Sequence, residues 1–502
     1  MAVALTGFPG MEPPDILSLL GRSDVVGVAV EDTERSVSYS ELGPSVRGLA
    51  GALAREGVSA GDRVAVMLPN SSASVELYLA CALSGAIWVG INPAAPQAER
   101  DRQCSLVTPT VVVTSEVVSS TPASGRVVEL EELRQRRAEA PYTPPDLTFP
   151  CAIGFSSGTT GTPKAIVHNR AAVSLVAAVL AETQLCAGDR VGVILPMSIH
   201  NLMAVGALPA LFAGATCVAV DRMNAAGVAA ACRDRRLSLL NALVPATIYD
   251  LVHDDDAIAP GMLSSLRFAG TGAAGLTESL RAAFEAKFGV RLVGTYGMTE
   301  APGVVCSEKP DASHIPGASG TPLPHLAVGT CDDHGRRLTE GQEGELLVSA
   351  ADSGKWADLY RPAMGRWTEN GLVRTTLDEK SFRTGDYGWV DTDGAIHVTA
   401  RRADVIVRGG VNVNAAEIES LLGQLPGVRD VAVVATPDAR LGQRILAFAE
   451  PSPGISLDAA ELRRQAQSLL SHGKVPDEFV VGGLPRNAMG KVARKELVTP
   501  AS

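Results

Sequence analysis

The sequence predicts an α/β protein: a large N-terminal domain of two similar αβαβα-layered sheets with a small β-barrel-like unit, followed by a small α+β C-terminal domain. Three observations point there. Gly61-Asp62-Arg63-Val64-Ala65-Val66-Met67-Leu68-Pro69 and Gly188-Asp189-Arg190-Val191-Gly192-Val193-Ile194-Leu195-Pro196 resemble each other. From about Thr321 the pattern changes to short strands with turn signals. After Arg401-Arg402 it changes again, to mixed helix and strand over about 100 residues. A chain of 502 residues is also too long for one core, the soft prior being ~150 residues per domain.

Each copy of the repeat opens with a β-branched run, continues into a helical stretch (73–83 and 202–212), and reaches Gly-Ala with a second apolar run. Apolar strands alternating with helices imply parallel sheet covered on both faces, and two such units imply two sheets related by rough internal symmetry. Ligands of such sheets bind beyond the carboxyl ends of the strands. In the β unit the expected strands are 344–348, 387–390 and 395–398. In the C-terminal segment a helix is expected over 415–422, a strand over 431–435 and a helix over 459–470. The domains are expected at 1–400, with the β unit over about 321–400, and at 401–502.

Composition excludes several classes. Hydrophobic residues at 46% with 20% charged residues describe an ordinary globular protein. A net charge of −11 argues against nucleic acid as partner, which needs a basic surface. The first residues lack a basic region and apolar run, and the apolar stretch 202–220 is broken by Gly206, Pro209 and Gly214, so no membrane span is expected. The eight cysteines are scattered with no Cys-x-x-Cys pair, which suits reduced thiols in the cytoplasm and offers no zinc site.

Residues 156–164 read Ser-Ser-Gly-Thr-Thr-Gly-Thr-Pro-Lys. Such a backbone wraps closely around phosphate oxygens, with hydroxyl donors inside and one ammonium at its end. It is not a Walker loop, because Pro163 precedes Lys164 and Ala165 follows it. A plain glycine-rich turn explains Gly158, Gly161 and Pro163 but not the hydroxyls and the lysine. Further along, Thr295-Tyr296-Gly297-Met298-Thr299-Glu300 combines a ring that stacks on a purine with a carboxylate that can hold Mg²⁺. Thr384-Gly385-Asp386 is expected to place a carboxylate at a tight turn. Arg401 precedes Ala403-Asp404-Val405-Ile406-Val407-Arg408-Gly409-Gly410, and Pro485-Arg486-Asn487-Ala488-Met489-Gly490-Lys491 lies near the end.

With these motifs in this order, the chain resembles the adenylate-forming superfamily of acyl-CoA synthetases, nonribosomal peptide synthetase adenylation domains and luciferases, from the Gly61 repeat to Lys491. The resemblance implies two steps: a carboxylate attacks the α-phosphate of ATP to give an acyl-adenylate and pyrophosphate, then a thiol displaces AMP. It assigns Ser156, Ser157, Gly158, Thr159, Thr160, Gly161 and Lys164 to ATP, with Ser156, Thr159, Thr160 and Lys164 on the β- and γ-phosphates. Glu300 would hold Mg²⁺ and Thr299 would contact the α-phosphate. Gly272, Ala273 and Ala274 would form an adenine wall, with Thr295 and Gly297 flanking the stacked Tyr296. Asp386 and Arg401 would take the ribose. Lys491 would be the catalytic cation of adenylation, on a mobile C-terminal domain whose rotation about Ala403 brings Gly409 and Gly410 to the thiol's path. Ala403 replaces the usual hinge Asp or Lys, and Ala400 replaces a usual Gly.

Pro196-Met197-Ser198-Ile199-His200-Asn201 matches the segment that opens the acid pocket, with His200 beside the carboxylate. Asn201 stands where amino-acid-activating relatives place an aspartate, and an amide cannot neutralise a buried ammonium. The other expected lining residues are Val205, Val244, Phe268, Thr271, Thr295, Val304 and Val305. They suit an aryl or short acyl acid rather than an α-amino acid. The expected acceptor is CoA or an acidic carrier protein bearing phosphopantetheine, and the expected state is monomer or homodimer. Two alternatives stay open: transfer to a non-thiol nucleophile, and a catalytically inactive nucleotide-binding sensor or scaffold.

Overall fold

The computed structural model describes residues 13–115, 124–138, 142–156, 164–254, 258–272, 276–375, 381–401, 405–408, 411–438, 442–470, 473–487 and 490–497.

The two repeats build two sheets with one wiring. In the first, Ile87–Gly90, Arg63–Met67, Val111–Thr114 and Arg126–Glu129 lie side by side in parallel. In the second, Thr216–Ala219, Arg190–Val193, Leu239–Leu243 and Phe268–Thr271 lie in the same order, again parallel. Each unit thus starts at its centre, crosses over a helix to one neighbour, then returns to the other side. The strands are buried along most of their length, as expected of parallel sheet covered on both faces.

The helix of the first unit, Ser72–Ser84, is buried over almost its whole surface; Gly85 closes it in a left-handed conformation at φ +75°. The second unit departs from a plain helix. His200–Leu202 leads into a widened π turn, Met203–Ala207, before Leu208–Ala213 resumes α geometry. One such turn inside a helix adds a residue and re-aims its neighbours.

Both sheets gain antiparallel strands where the motifs lie. Pro150–Ser156 turns back into Lys164–Asn169, and Arg291–Met298 into Gly303–Ser307. Beyond them, Leu326–Cys331, Gly344–Ala350, Ser381–Val390 and Ile396–Arg401 form a four-stranded antiparallel sheet. The stretch 321–400 is not self-contained, however. Its hairpin Gly365–Thr368 and Gly371–Arg374 leaves that sheet and extends the first one beside Lys164–Asn169.

Thr384-Gly385-Asp386 corrects the expected tight turn. It runs inside the strand Ser381–Val390, with Gly385 at φ +76° and a register shift against Gly344–Ala350. Three residues, 384–386, there lie opposite Leu346 alone, so the glycine's conformation absorbs two extra residues as a bulge and the strand continues instead of reversing.

The small C-terminal domain has its own sheet of Val411–Asn414, Val405–Arg408, Gly442–Pro451 and Val428–Asp438, with Glu478–Val481 beside Gly442–Pro451. Helices Ala415–Leu422 and Ala459–Leu469 cover it, burying Ile418, Leu422, Val433, Ile445 and Leu462 in a separate core. Among the described residues no helix is long and apolar enough to cross a membrane.

Candidate active site

The ends of the 156–164 segment meet because Ser156 pairs with Lys164 across the hairpin. Ser157, Gly158, Thr159, Thr160 and Gly161 lie outside the described residues. Ser156 Oγ stands 3.5 Å from Glu300 Oε1. The Glu300 carbonyl accepts from the Ala363 amide at 2.9 Å, and the Met364 amide donates to the Val167 carbonyl at 2.8 Å. The extra hairpin thus ties Glu300 to the strand that leaves the loop.

Tyr296 and Asp386, 90 residues apart, meet directly. The phenol donates to Asp386 Oδ2 at 2.7 Å, and burial pushes that phenol far above its ordinary pKa, the Asp386 charge adding to the effect. Asp386 is 3% exposed; its amide donates to Thr384 Oγ1 at 3.1 Å, and it faces Arg401 in the register. The bulge at Gly385 aims this carboxylate toward the tyrosine.

Beside them, Thr295 Oγ1 donates to the Thr271 carbonyl at 3.1 Å, and Thr271 Oγ1 to the Leu243 carbonyl at 3.1 Å. A Cβ at Gly272 would lie 2.6 Å from Thr295 Oγ1. Ala273 and Ala274 lie outside the described residues. Gly297 packs so closely on the return strand that a Cβ there would come 2.0 Å from the Gly303 carbonyl oxygen.

His200 is 1% exposed. Its ring stacks on His168 at 4.2 Å and 7°, and its Nε2 lies 3.2 Å from the Tyr78 hydroxyl. Burial drives its pKa down to about 3, so the imidazole is neutral. Trp88 lies against Tyr78 and His200. Gly154 makes this close approach possible, because a Cβ there would meet His200 Cβ at 2.8 Å and Thr299 Cγ2 at 3.3 Å. One glycine therefore brings His200 and Thr299 close together.

Val205 sits on the π turn, where Asn241 Nδ2 donates to its carbonyl at 3.0 Å. A Cβ at Gly303 would lie 2.5 Å from Val205 Cγ1, and Val304 pairs with Gly297. Asn201, next to His200, is half-buried. Val305 is fully buried. Phe268 corrects the expected lining: it begins its strand and packs with Leu239, Val293 and Leu185, at the amino end, away from the motifs.

Lys491 lies on a tight loop organised by Asn487, whose amide donates to the Lys491 carbonyl at 2.8 Å and whose Oδ1 accepts from the Lys491 amide at 3.1 Å. Gly490, at φ +72°, brings that loop against Val244: a Cβ there would lie 3.3 Å from Val244 Cγ2. The C-terminal domain thus seats its lysine loop at the end of the strand Leu239–Leu243. Ala403, Gly409 and Gly410 lie outside the described residues.

Sequence reasoning missed Tyr78, Trp88, His168 and Asn241. Each sits in an ordinary apolar helix or strand pattern, and only His168, four residues after Lys164, lies near a motif.

Residues 23–353 match the family described as AMP-binding enzyme, and residues 417–491 match the AMP-binding enzyme C-terminal domain. The chain belongs to the AMP-binding enzyme family. Among relatives of this AMP-binding enzyme, the feruloyl-CoA synthase of an Amycolatopsis species is 31% identical over 481 residues, covering 93% of this chain and 95% of that protein. The indoleacetate–CoA ligase of Aromatoleum aromaticum is 31% identical over 494 residues, covering 93% and 94%. The crystal structure of ATP-bound MatB from Rhodopseudomonas palustris superposes with a TM-score of 0.85 at 25% identity, covering 97% and 98%.

Among the described residues no three His, Cys, Asp or Glu side chains cluster as a metal cage. Glu300 beside the Ser156 hydroxyl still fits Mg²⁺, which keeps waters and takes one or two carboxylates together with substrate phosphates.

Proposed function

We propose that this AMP-binding enzyme is an AMP-forming acid–thiol ligase. It uses ATP to activate an aryl or short acyl carboxylic acid, releases pyrophosphate, and passes the acyl group to the phosphopantetheine thiol of CoA or a carrier protein. The single observation that carries this reading is the nearness of the Lys491 loop to Val244 at the end of the strand Leu239–Leu243, where a Cβ on Gly490 would lie 3.3 Å from Val244 Cγ2. In this reading that nearness supports a cation-bearing loop of one domain acting on the groups proposed for nucleotide and acid in the other. Binding ATP alone does not require it.

In this reading Ser156, Thr159, Thr160 and Lys164 hold the triphosphate tail, and Tyr296 stacks on adenine against Gly272, Ala273 and Ala274. Asp386 and Arg401 hold the ribose; the Tyr296 hydrogen bond fixes the Asp386 carboxylate in place. Lys491 neutralises the approach of two anions, the acid and the α-phosphate, where charge grows in the transition state. Mg²⁺, when bound at Glu300, neutralises phosphate charge. The neutral His200 borders the carboxylate without trapping it as a salt. Val205, Thr271, Thr295 and Val304 shape the acyl end, and Asn201, an amide where amino-acid-activating relatives carry an aspartate, cannot neutralise a substrate ammonium.

We also place the domain boundary at 400/401, the hinge at Ala403 and the thiol's path at Gly409 and Gly410. All eight cysteines are free thiols, which supports a reducing compartment such as the cytoplasm. The test is acid-dependent pyrophosphate release across a carboxylic acid panel, then mass detection of the product with CoA present. Aryl or short acyl acids should give the thioester. Tight ATP binding with no release for any acid would sink the reading.

A further inference from the structure

A chain of alternating charges crosses from one domain to the other and ends at the lysine loop. It starts at Asp250 on the helix Pro245–His253 of the N-terminal domain. Asp250 Oδ1 accepts from Arg429 Nη2 at 2.8 Å, and the same guanidinium donates through Nη1 to Glu450 Oε1 at 3.0 Å. Glu450 Oε2 accepts from Arg486 Nη2 at 2.7 Å, and that nitrogen also donates to Asp430 Oδ2 at 2.8 Å. The other end of Arg486 donates through Nη1 to the Gly490 carbonyl at 3.2 Å. Two further contacts support the crossing: Arg429 lies over the Tyr249 ring at 5.4 Å, and the Tyr249 hydroxyl donates to Ser452 Oγ at 3.0 Å.

The placement matters as much as the pairing. Val244, close to Gly490, immediately precedes the helix that carries Asp250. The two points are six residues apart, roughly 9 Å along a helix. Asp430 and Glu450 face each other on adjacent strands of the C-terminal sheet, so this side of the contact is rigid. A motion that draws Gly490 from Val244 must therefore part Arg429 from Asp250 as well.

We propose that Asp250, Arg429, Glu450 and Arg486 form a latch that holds the C-terminal domain in the orientation presenting Lys491 to the pocket. They are then positioning residues for adenylation and not for thioester formation. The proposal rests on the two-step reading above. The latch is suited to release: the Asp250 and Arg429 side chains are 48% and 24% exposed, so the crossing pair is weak and salt-sensitive. A stronger pair would trap one orientation, whereas two half-reactions need both populated.

The test uses Asp250→Asn, a same-size change at a half-exposed site that leaves the Arg429–Glu450 pair intact, and Tyr249→Phe, which removes only the bond to Ser452. Acid-dependent pyrophosphate exchange should fall roughly twofold to fivefold in Asp250→Asn, and less in Tyr249→Phe. Thioester formation from supplied acyl-adenylate should stay at or above the wild-type rate, and Asp250→Glu should restore exchange. Spin labels on the exposed Ser279 and Ser420, with the exposed Cys186 replaced by serine, report the interdomain distance without reference to catalysis. That distribution should broaden in Asp250→Asn. An equal fall in both half-reactions, wild-type exchange, or an unchanged distance distribution overturns the latch. If the wild-type chain releases no pyrophosphate with any acid, the ligase reading fails, while the label distances still decide the latch.

Discussion

His200, His168 and His325 are buried imidazoles whose pKa values fall by desolvation: His200 and His325 to about 3, His168 well below the ordinary value. All three are neutral when folded, whereas the unfolded chain protonates them near pH 6.5. Between pH 6.5 and 3 the unfolded state therefore binds more protons, and stability falls as pH falls. From pH 6.5 to 5.5 the loss for His200 and for His325 is about 1 kcal/mol each. Urea unfolding at pH 7.5 and 5.5 should show it, and His325→Asn should flatten that slope. A pH-independent midpoint would contradict the buried neutral state. At the other residue that matters, Lys491→Ala should slow acid-dependent pyrophosphate exchange by roughly 10²- to 10³-fold, with thioester formation from supplied acyl-adenylate kept. A parallel loss in both would take the lysine out of its proposed role.

At the scale of elements, the two repeats were legible because each is a local unit whose apolar run, helix and Gly-Ala punctuation recur in sequence. The shared strand order confirms that reading. Three features were not legible. The bulge at Gly385 depends on the facing strand, the π turn at Met203–Ala207 keeps a helical apolar pattern, and the hairpin at 365–374 joins a sheet whose other strands lie far back in the chain. Gly154 shows how an element sets the site. Gly154→Ala would force its strand away from His200 and Thr299, costing about 1–3 kcal/mol of stability. It should also raise the KM for the acid several-fold, with a smaller change for ATP. Steady-state kinetics with a urea midpoint checks both, and an unchanged acid KM would count against His200 as a pocket wall.

For the whole molecule, the two-step reading proposed above has the C-terminal domain move against the rest between half-reactions. Proline fixes φ near −65°, so Ala403→Pro should spare pyrophosphate exchange and block thioester formation; survival of both steps would move the hinge elsewhere. The reaction class was readable from sequence alone. The groups proposed for it lie on short contiguous motifs at 156–164, 295–300, 384–386 and 485–491, each a local pattern of residue types. What surrounds those groups was decided only by the tertiary structure. Tyr78 reaches His200 from 122 residues away, Tyr296 reaches Asp386 from 90, and Arg429 reaches Asp250 from 179. Contacts at such separations leave no periodicity or spacing in the chain. They exist because the sheets, the bulge, the glycine at 154 and the seating of the C-terminal domain bring distant residues into contact.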